Sequence, residues 1–223
     1  MTSNRPTLVL VPGAWHRPST YDLLRGELDI LGYATRAVKL PTAGPDPYGS
    51  LYDDAAAIRE AVGSLSGPVV VVAHSYGGIP AAEGTPDGVQ RLIHLSAYVP
   101  DVGESMYTLH GMPDPESADG LFPTSADPRA QLYSDLPEED GNLAVSRLVD
   151  QLHRPFADRV TRAAWHTVPS SYVVTERDNS MPVELQEEMA ARTSDVRRIA
   201  TGHSPFLSRP AELAALIDRI ITG

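Results

Sequence analysis

Cysteine is absent from all 223 residues, which removes disulfides, thiolate nucleophiles and every sulfur-ligated metal site at once. Any chemistry must use oxygen or nitrogen groups. A long apolar run is missing too: Leu8 to Val11 is cut off by Pro12-Gly13 before it could form a signal-peptide core or a membrane span, and Met1 to Pro6 ahead of it is polar. No basic cluster offsets the formal net charge of -11, which repels phosphate backbones and anionic membrane surfaces. Nucleic acid and membrane are thereby excluded as partners, and a soluble, cytoplasmic protein acting on a small molecule is expected. A homodimer stays open. The length suits one α/β domain with a full core and is too short for two large ones.

Within that frame, apolar runs alternate with helical patterns. Thr7–Val11 and Val69–Ala73 are short β-branched runs bounded by glycine and proline, as in strands buried on both faces of a parallel sheet. Further strands are expected at Ala34–Val38, Arg91–Leu95, Ser171–Thr175 and Val196–Ala200. Between the first and second, Leu24, Leu28 and Leu31 share a helical face that Gly32 terminates. Ser50 with Asp53 three residues on predicts a helix start, followed by a face of Leu51, Ala55, Ile58, Val62 and Leu65. A helix through Leu185 to Met189 and a last one burying Leu213, Leu216, Ile217 and Ile220 complete the alternation. The pattern predicts a doubly wound, mostly parallel sheet of about six strands. Residues 97–169 break the rhythm with scattered prolines and short helical stretches such as Leu143–Leu152, and read as an inserted cap over a core made of 1–96 and 170–223.

The valine run drives straight into Ala73-His74-Ser75-Tyr76-Gly77-Gly78. A serine with small residues two positions to either side, between a strand and a helix, is the pattern of a nucleophile elbow. The turn strains the backbone and lifts the hydroxyl above the sheet. A serine needs a base, and His203 in Thr201-Gly202-His203-Ser204 follows the final strand, in a loop that can reach across the strand ends. His74 is expected to be structural, His94 to lie in the core, and His110, His153 and His166 to sit on the cap. For the acid, Asp178 is preferred over Glu176, both just past the penultimate strand, because the shorter side chain farther along the turn suits the ring nitrogen. The order Ser75, Asp178, His203 is that of α/β hydrolases. The backbone N–H groups of Ala14 and Tyr76 are the candidate oxyanion donors, and Trp15, Tyr76 and Tyr98 the candidate walls of an apolar pocket.

These segments resemble a group of small α/β hydrolases that includes plant methyl esterases, hydroxynitrile lyases and related bacterial esterases. Val11-Pro12-Gly13-Ala14-Trp15-His16 is similar to the group's His-Gly-Ala loop with proline for the first histidine, and Tyr172 to Asp178, with Pro182 and Gln186 beyond, to its acid-bearing segment. The resemblance implies the α/β-hydrolase fold, a helical cap, no cofactor and a carboxylic ester as substrate. Lyases of the group carry a threonine in the first loop and a lysine after the histidine. Here Gly13-Ala14 and Ser204 stand there, against a lyase. A non-catalytic receptor on the same fold is the remaining alternative.

Overall fold

The computed structural model describes residues 5–223, so the polar stretch at Met1 to Pro6 lies mostly outside the described residues. Six parallel strands form one sheet: β1 Thr7–Val11, β2 Thr35–Ala37, β3 Val69–His74, β4 Arg91–Leu95, β5 Ser170–Thr175 and β6 Asp195–Ile199, in the spatial order β2-β1-β3-β4-β5-β6. The helices are α1 Asp22–Ile30, α2 Leu51–Gly63, α3 Gly78–Gly84, α4 Met106–Leu109, α5 Pro128–Leu132, α6 Glu138–Ser146, α7 Arg154–Ala157, α8 Val183–Ala190, α9 Pro205–Ser208 and α10 Pro210–Thr222.

Period-two alternation in the central strands assigns each helix to a face. Leu8, Leu10, Val70 and Val72 point to one side, where α1 and α10 cover them through Leu24, Leu28, Leu213 and Ile217. Val9, Val11, Val71 and Ala73 point to the other, under Leu51 and Ile58 of α2 and Ile79 of α3. Because both faces are covered, β3 is buried from end to end and its sequence is continuously apolar up to His74. Each of these fully buried valines and leucines contributes about 1.5–3 kcal/mol of transfer free energy.

Local signals act where expected. Asp53 Oδ2 accepts from the Ser50 N–H at 2.8 Å, starting α2, and Gly32 at φ +82° ends α1. Several boundaries shift, β2 spanning Thr35–Ala37 where Ala34–Val38 was expected. The edge strand β6 begins one residue earlier than read and exposes Val196, while the helix expected over Leu143–Leu152 is α6, ending at Ser146. Beyond α6, non-local partners take the backbone groups a helix would have paired. Val149 N–H donates to Trp15 O, Gly44 N–H to Asp150 O, and Leu152 N–H to Thr42 O, each at 2.9 Å. The segment therefore runs extended, and Ala43 and Gln151 form an isolated antiparallel bridge.

Helix α3 leaves the sheet edge in backbone contact with its neighbours. A Cβ on Gly84 would lie 2.5 Å from Ala55 O of α2, whereas one on Gly26, exposed on α1, would meet nothing within 4 Å. Gly84→Ala should cost about 2 kcal/mol by overpacking, a Tm drop of about 4–8 °C for a chain of this size. Gly26→Ala should instead stabilise by about 0.5–1 kcal/mol through helix propensity and unfolded-state entropy. Thermal unfolding of both variants checks the pair.

Candidate active site

In an all-parallel sheet the loops that follow each strand gather at one edge, and every candidate residue comes from such a loop: Ala14 and Trp15 after β1, Ser75 and Tyr76 after β3, Tyr98 after β4, Asp178 after β5 and His203 after β6. Backbone strain concentrates there. Among the described residues the only non-glycines with positive φ are Trp15 (61°), Ser75 (52°) and Ser96 (37°), each just beyond a strand of this edge. Such conformations cost on the order of 1–3 kcal/mol each and persist only where the surroundings enforce them.

At Ser75 the enforcement is steric. A Cβ on Gly77 would lie 2.5 Å from Pro12 O, and one on Gly78 2.0 Å from Tyr98 O, so the turn after the serine is packed directly on two backbones. Gly13 lies close on the other side, where a Cβ would come within 3.1 Å of Ser75 Cβ. Ser75 itself is half-buried. No hydrogen bond joins its hydroxyl to the His203 ring among the described residues.

His203 and Asp178 are brought together. Nδ1 of the histidine lies 2.7 Å from Asp178 Oδ2, with the two side chains 1% and 0% exposed. A carboxylate can only accept, so Nδ1 carries the proton and Nε2 is the free basic nitrogen. Asp178 also accepts from the N–H groups of Ser180 (2.7 Å) and Met181 (2.8 Å) and from the Thr175 hydroxyl (2.7 Å). Burial pushes its pKa up, but His203 and these donors outweigh it and hold the carboxyl below its ordinary value. Gln186, wholly buried, fastens the loop by donating to Thr175 O and Met181 O while accepting from the Thr175 N–H. Glu176 is exposed and makes no such contact.

Two more buried histidines stand beside this pair. The His74 ring lies 4.6 Å from that of His203 and donates from Nε2 to the His203 carbonyl at 2.9 Å, consistent with a structural part. His16 donates from Nδ1 to Ala14 O at 2.6 Å and accepts from the Tyr133 hydroxyl at 2.8 Å. Burial lowers the pKa of both, His16 to about 4, so each is a neutral ring with a fixed tautomer at neutral pH. His94 is buried in β4 as expected. Of the histidines between β4 and β5, His110 pairs with Tyr98 Oη at 2.8 Å, His153 pairs with Tyr107, and His166 faces Asp101.

The candidate oxyanion donors are free: neither the Ala14 nor the Tyr76 N–H is taken up by a partner among the described residues. Trp15 stacks on Phe122 and Phe156, with its indole N–H on Phe122 O at 2.9 Å. The Tyr76 side chain departs from expectation. Instead of walling a pocket it is buried, its hydroxyl donating at 2.6 Å to Asp54, a fully buried carboxylate of α2. Asp54 also accepts from the N–H and hydroxyl of Thr42 but faces no cation, and burial raises its pKa to about 6. Sequence reading did not single out Asp54, Thr42, His16 or Gln151. Only Asp54 left a signal, a carboxylate between Leu51, Ala55 and Ile58 on an apolar stripe. A cavity of about 190 Å³ reaches His16 and Tyr133 beneath Leu136, Leu143 and Leu148, but neither Ser75 nor His203 lines it.

A parallel sheet with a left-handed serine at the tip of its central strand, and a histidine and carboxylate on the loops of two others, defines the α/β-hydrolase class. The family model for the alpha/beta hydrolase family matches residues 8–216, and the chain belongs to that family. Among curated relatives it is 31% identical to an alpha/beta hydrolase of Aspergillus novofumigatus, nvfD, over 96% of this chain and 95% of that protein. It is 28% identical to methyl jasmonate esterase 1 of Vitis vinifera, again over 96% and 95%. Among solved structures, a methylesterase from Arabidopsis superposes with a TM-score of 0.81 at 24% identity, covering 98% of this chain and 99% of that one, a likeness of fold. No helix among the described residues is long and apolar enough to cross a membrane.

The two buried aspartates predict opposite pH effects. Between the unfolded value near 3.8 and about 6, Asp54 binds its proton more tightly in the folded state, so its contribution to stability falls as pH rises through that window. Relative to Asp54→Asn, the wild type should lose about 2 kcal/mol of unfolding free energy between pH 4 and pH 7, since each tenfold gain in proton affinity on folding is worth about 1.4 kcal/mol and the unfolded carboxyl is already partly ionised at pH 4. Asp178 acts in the other sense: its contribution is present above 3.8 and is lost as pH falls below it. Denaturant unfolding across pH, with carboxyl NMR titration of both residues, measures the two directions.

Proposed function

We propose that the protein is a serine hydrolase of carboxylic esters, acting through an acyl-enzyme with Ser75 as nucleophile, His203 as general base and acid, and Asp178 as the group that orients the ring. The observation that carries this reading is the 2.7 Å Asp178–His203 pair, which leaves Nε2 basic, on the same sheet edge as a serine held at φ +52°. In the forward half-reaction His203 Nε2 takes the hydroxyl proton as Ser75 Oγ bonds to the carbonyl carbon. The N–H groups of Ala14 and Tyr76 receive the oxyanion. Collapse breaks the carbon–oxygen bond to the leaving alcohol, which takes the proton from His203. Water then repeats the sequence on the acyl-enzyme, releasing the acid and restoring Ser75. The segment 97–169 serves as the cap, and Trp15 and Tyr98 line an apolar acyl pocket. The names of the relatives, an esterase of methyl jasmonate among them, support a small apolar or aromatic acyl group; no cofactor enters this chemistry.

Four measurements test the assignment. An organophosphonate probe should label Ser75 stoichiometrically, and Ser75→Ala should lower kcat by several orders of magnitude, up to the ~10⁶-fold seen for triad nucleophiles. Labelling elsewhere on the folded protein removes the nucleophile assignment. Asp178→Asn should cost roughly 10⁴-fold, because an amide cannot accept the ring N–H or stabilise the imidazolium, while exposed Glu176→Gln should change little. Cyanohydrins should stay intact: cyanide departure calls for a cation beside the base, and the residue after His203 is the neutral, buried Ser204. Cyanide release that depends on His203 would count for the lyase, and tight ligand binding without turnover across an ester panel for a receptor.

A further inference from the structure

Trp15, next to the candidate oxyanion donor Ala14, is a bulky residue at φ +61°, and the groups that hold it there come from the cap. Its N–H donates to Gln151 Oε1 at 3.3 Å, its carbonyl accepts from the Val149 N–H at 2.9 Å, and its indole N–H rests on Phe122 O. The elbow donor Tyr76 is held from another direction, by its hydroxyl on Asp54. One continuous chain joins the two. Gln151 Nε2 donates to Thr42 Oγ1 at 2.7 Å, and that hydroxyl donates to Asp54 Oδ2 at 2.6 Å, the oxygen that also receives Tyr76.

Every donor along this path has one acceptor that fits it, so the directions are fixed. Above its pKa of about 6 Asp54 is ionised and can only accept, so Thr42 donates to it and therefore accepts from Gln151, which turns the amide oxygen toward the Trp15 N–H. A flipped amide would set its NH₂ against that N–H and its oxygen against a hydroxyl whose proton is already used. Gln151, Thr42 and Asp54 are all 0% exposed, so water does not compete for any of these bonds.

We infer that Gln151, acting with Thr42 and Asp54, is the positioning residue that locks both halves of the oxyanion hole, so that the hole is completed by the cap. The inference rests on the proposed hydrolase reading, since it concerns the two N–H groups assigned there to the oxyanion. None of the three touches the reacting atoms. Their effect passes through the backbone at Ala14-Trp15 and Tyr76, and belongs to the transition state, when the oxyanion exists, more than to the bound ester.

The test is a split between turnover and binding in the full chain. Gln151→Met keeps volume and removes both bonds; Thr42→Val cuts the path at its middle. Both should lower kcat by about tenfold or more with KM within about twofold, a fraction of the ~10²–10³ lost with an oxyanion donor itself. Affinity for a trifluoromethyl ketone, which forms a tetrahedral oxyanion on Ser75, should fall by the same factor. The double variant should be little worse than the poorer single one, because both break one unit. Glu83→Gln is the control: Glu83 anchors the cap elsewhere, accepting from Thr161 and Arg162, and should lower Tm with kcat within about twofold. Folded Gln151→Met and Thr42→Val enzymes with parental kcat and ketone affinity would overturn the inference alone. So would an equal kcat loss in Glu83→Gln, which would reveal general loosening of the cap. Absence of Ser75-dependent turnover in the parent would instead remove the hydrolase reading on which the inference stands.

Discussion

Close contacts at three glycines, where no side chain would fit, hold the serine turn in place. Pro12 O sits where a Cβ of Gly77 would go, Tyr98 O where a Cβ of Gly78 would go, and the Gly13 backbone lies against Ser75 and His74. Together they press the loops after β1 and β4 onto the turn after β3. Ser75 stands in the left-handed region, at φ +52°, between these packed loops. Its cost, on the order of 1–3 kcal/mol, is met by the burial of β3 on both sheet faces, where several fully buried valines each contribute comparably. The strained residue is tolerated because the strand feeding it is buried along its whole length.

The same logic extends to the segment between β4 and β5, which holds the edge loops. Phe122, Val149 and Gln151 grip Trp15, and Asp135 accepts from the Gly202 N–H at 2.8 Å, one residue before His203. A Cβ on Gly202 would meet that carboxylate at 2.8 Å. The loops after β1 and β6 thus depend on residues far away in sequence. The sheet and the segment between β4 and β5 are joined at this edge by these hydrogen bonds.

This divides what the sequence reveals from what it hides. Strands and helices were legible because their signals are local: short β-branched runs bounded by glycine and proline in β1 and β3, the Asp53 carboxylate returned to Ser50, glycine at the end of α1. Ser75, Asp178 and His203 were legible as candidates because each follows its own strand, so chain order places them on one edge. The Tyr76 side chain was misread because an aromatic beside a serine looks the same whether it lines a pocket or bonds a carboxylate beneath it. Gln151 left no trace, since its meaning lies in contacts with Trp15 and Thr42, 136 and 109 residues away. The helix expected to run to Leu152 stopped early for the same reason, its backbone groups having found distant partners.

Asp178 and Asp54 show how environment separates two chemically identical, buried side chains. Burial raises both, but Asp178 meets the His203 ring and two N–H groups, whereas Asp54 meets two hydroxyls, one N–H and no positive charge. Net, the first is held ionised and the second is left poised near pH 6. An ionised Asp178 suits the part of general base that we propose for the His203 imidazole. Asp54 needs acceptor capacity on two oxygens more than it needs charge, since three donors converge on it from Thr42 and Tyr76. Asparagine at 54 would have to present an NH₂ to one of those donors. Removal of the charge would lift the desolvation cost but leave that donor unpaired, and it would break the directional chain to Gln151 in the same step.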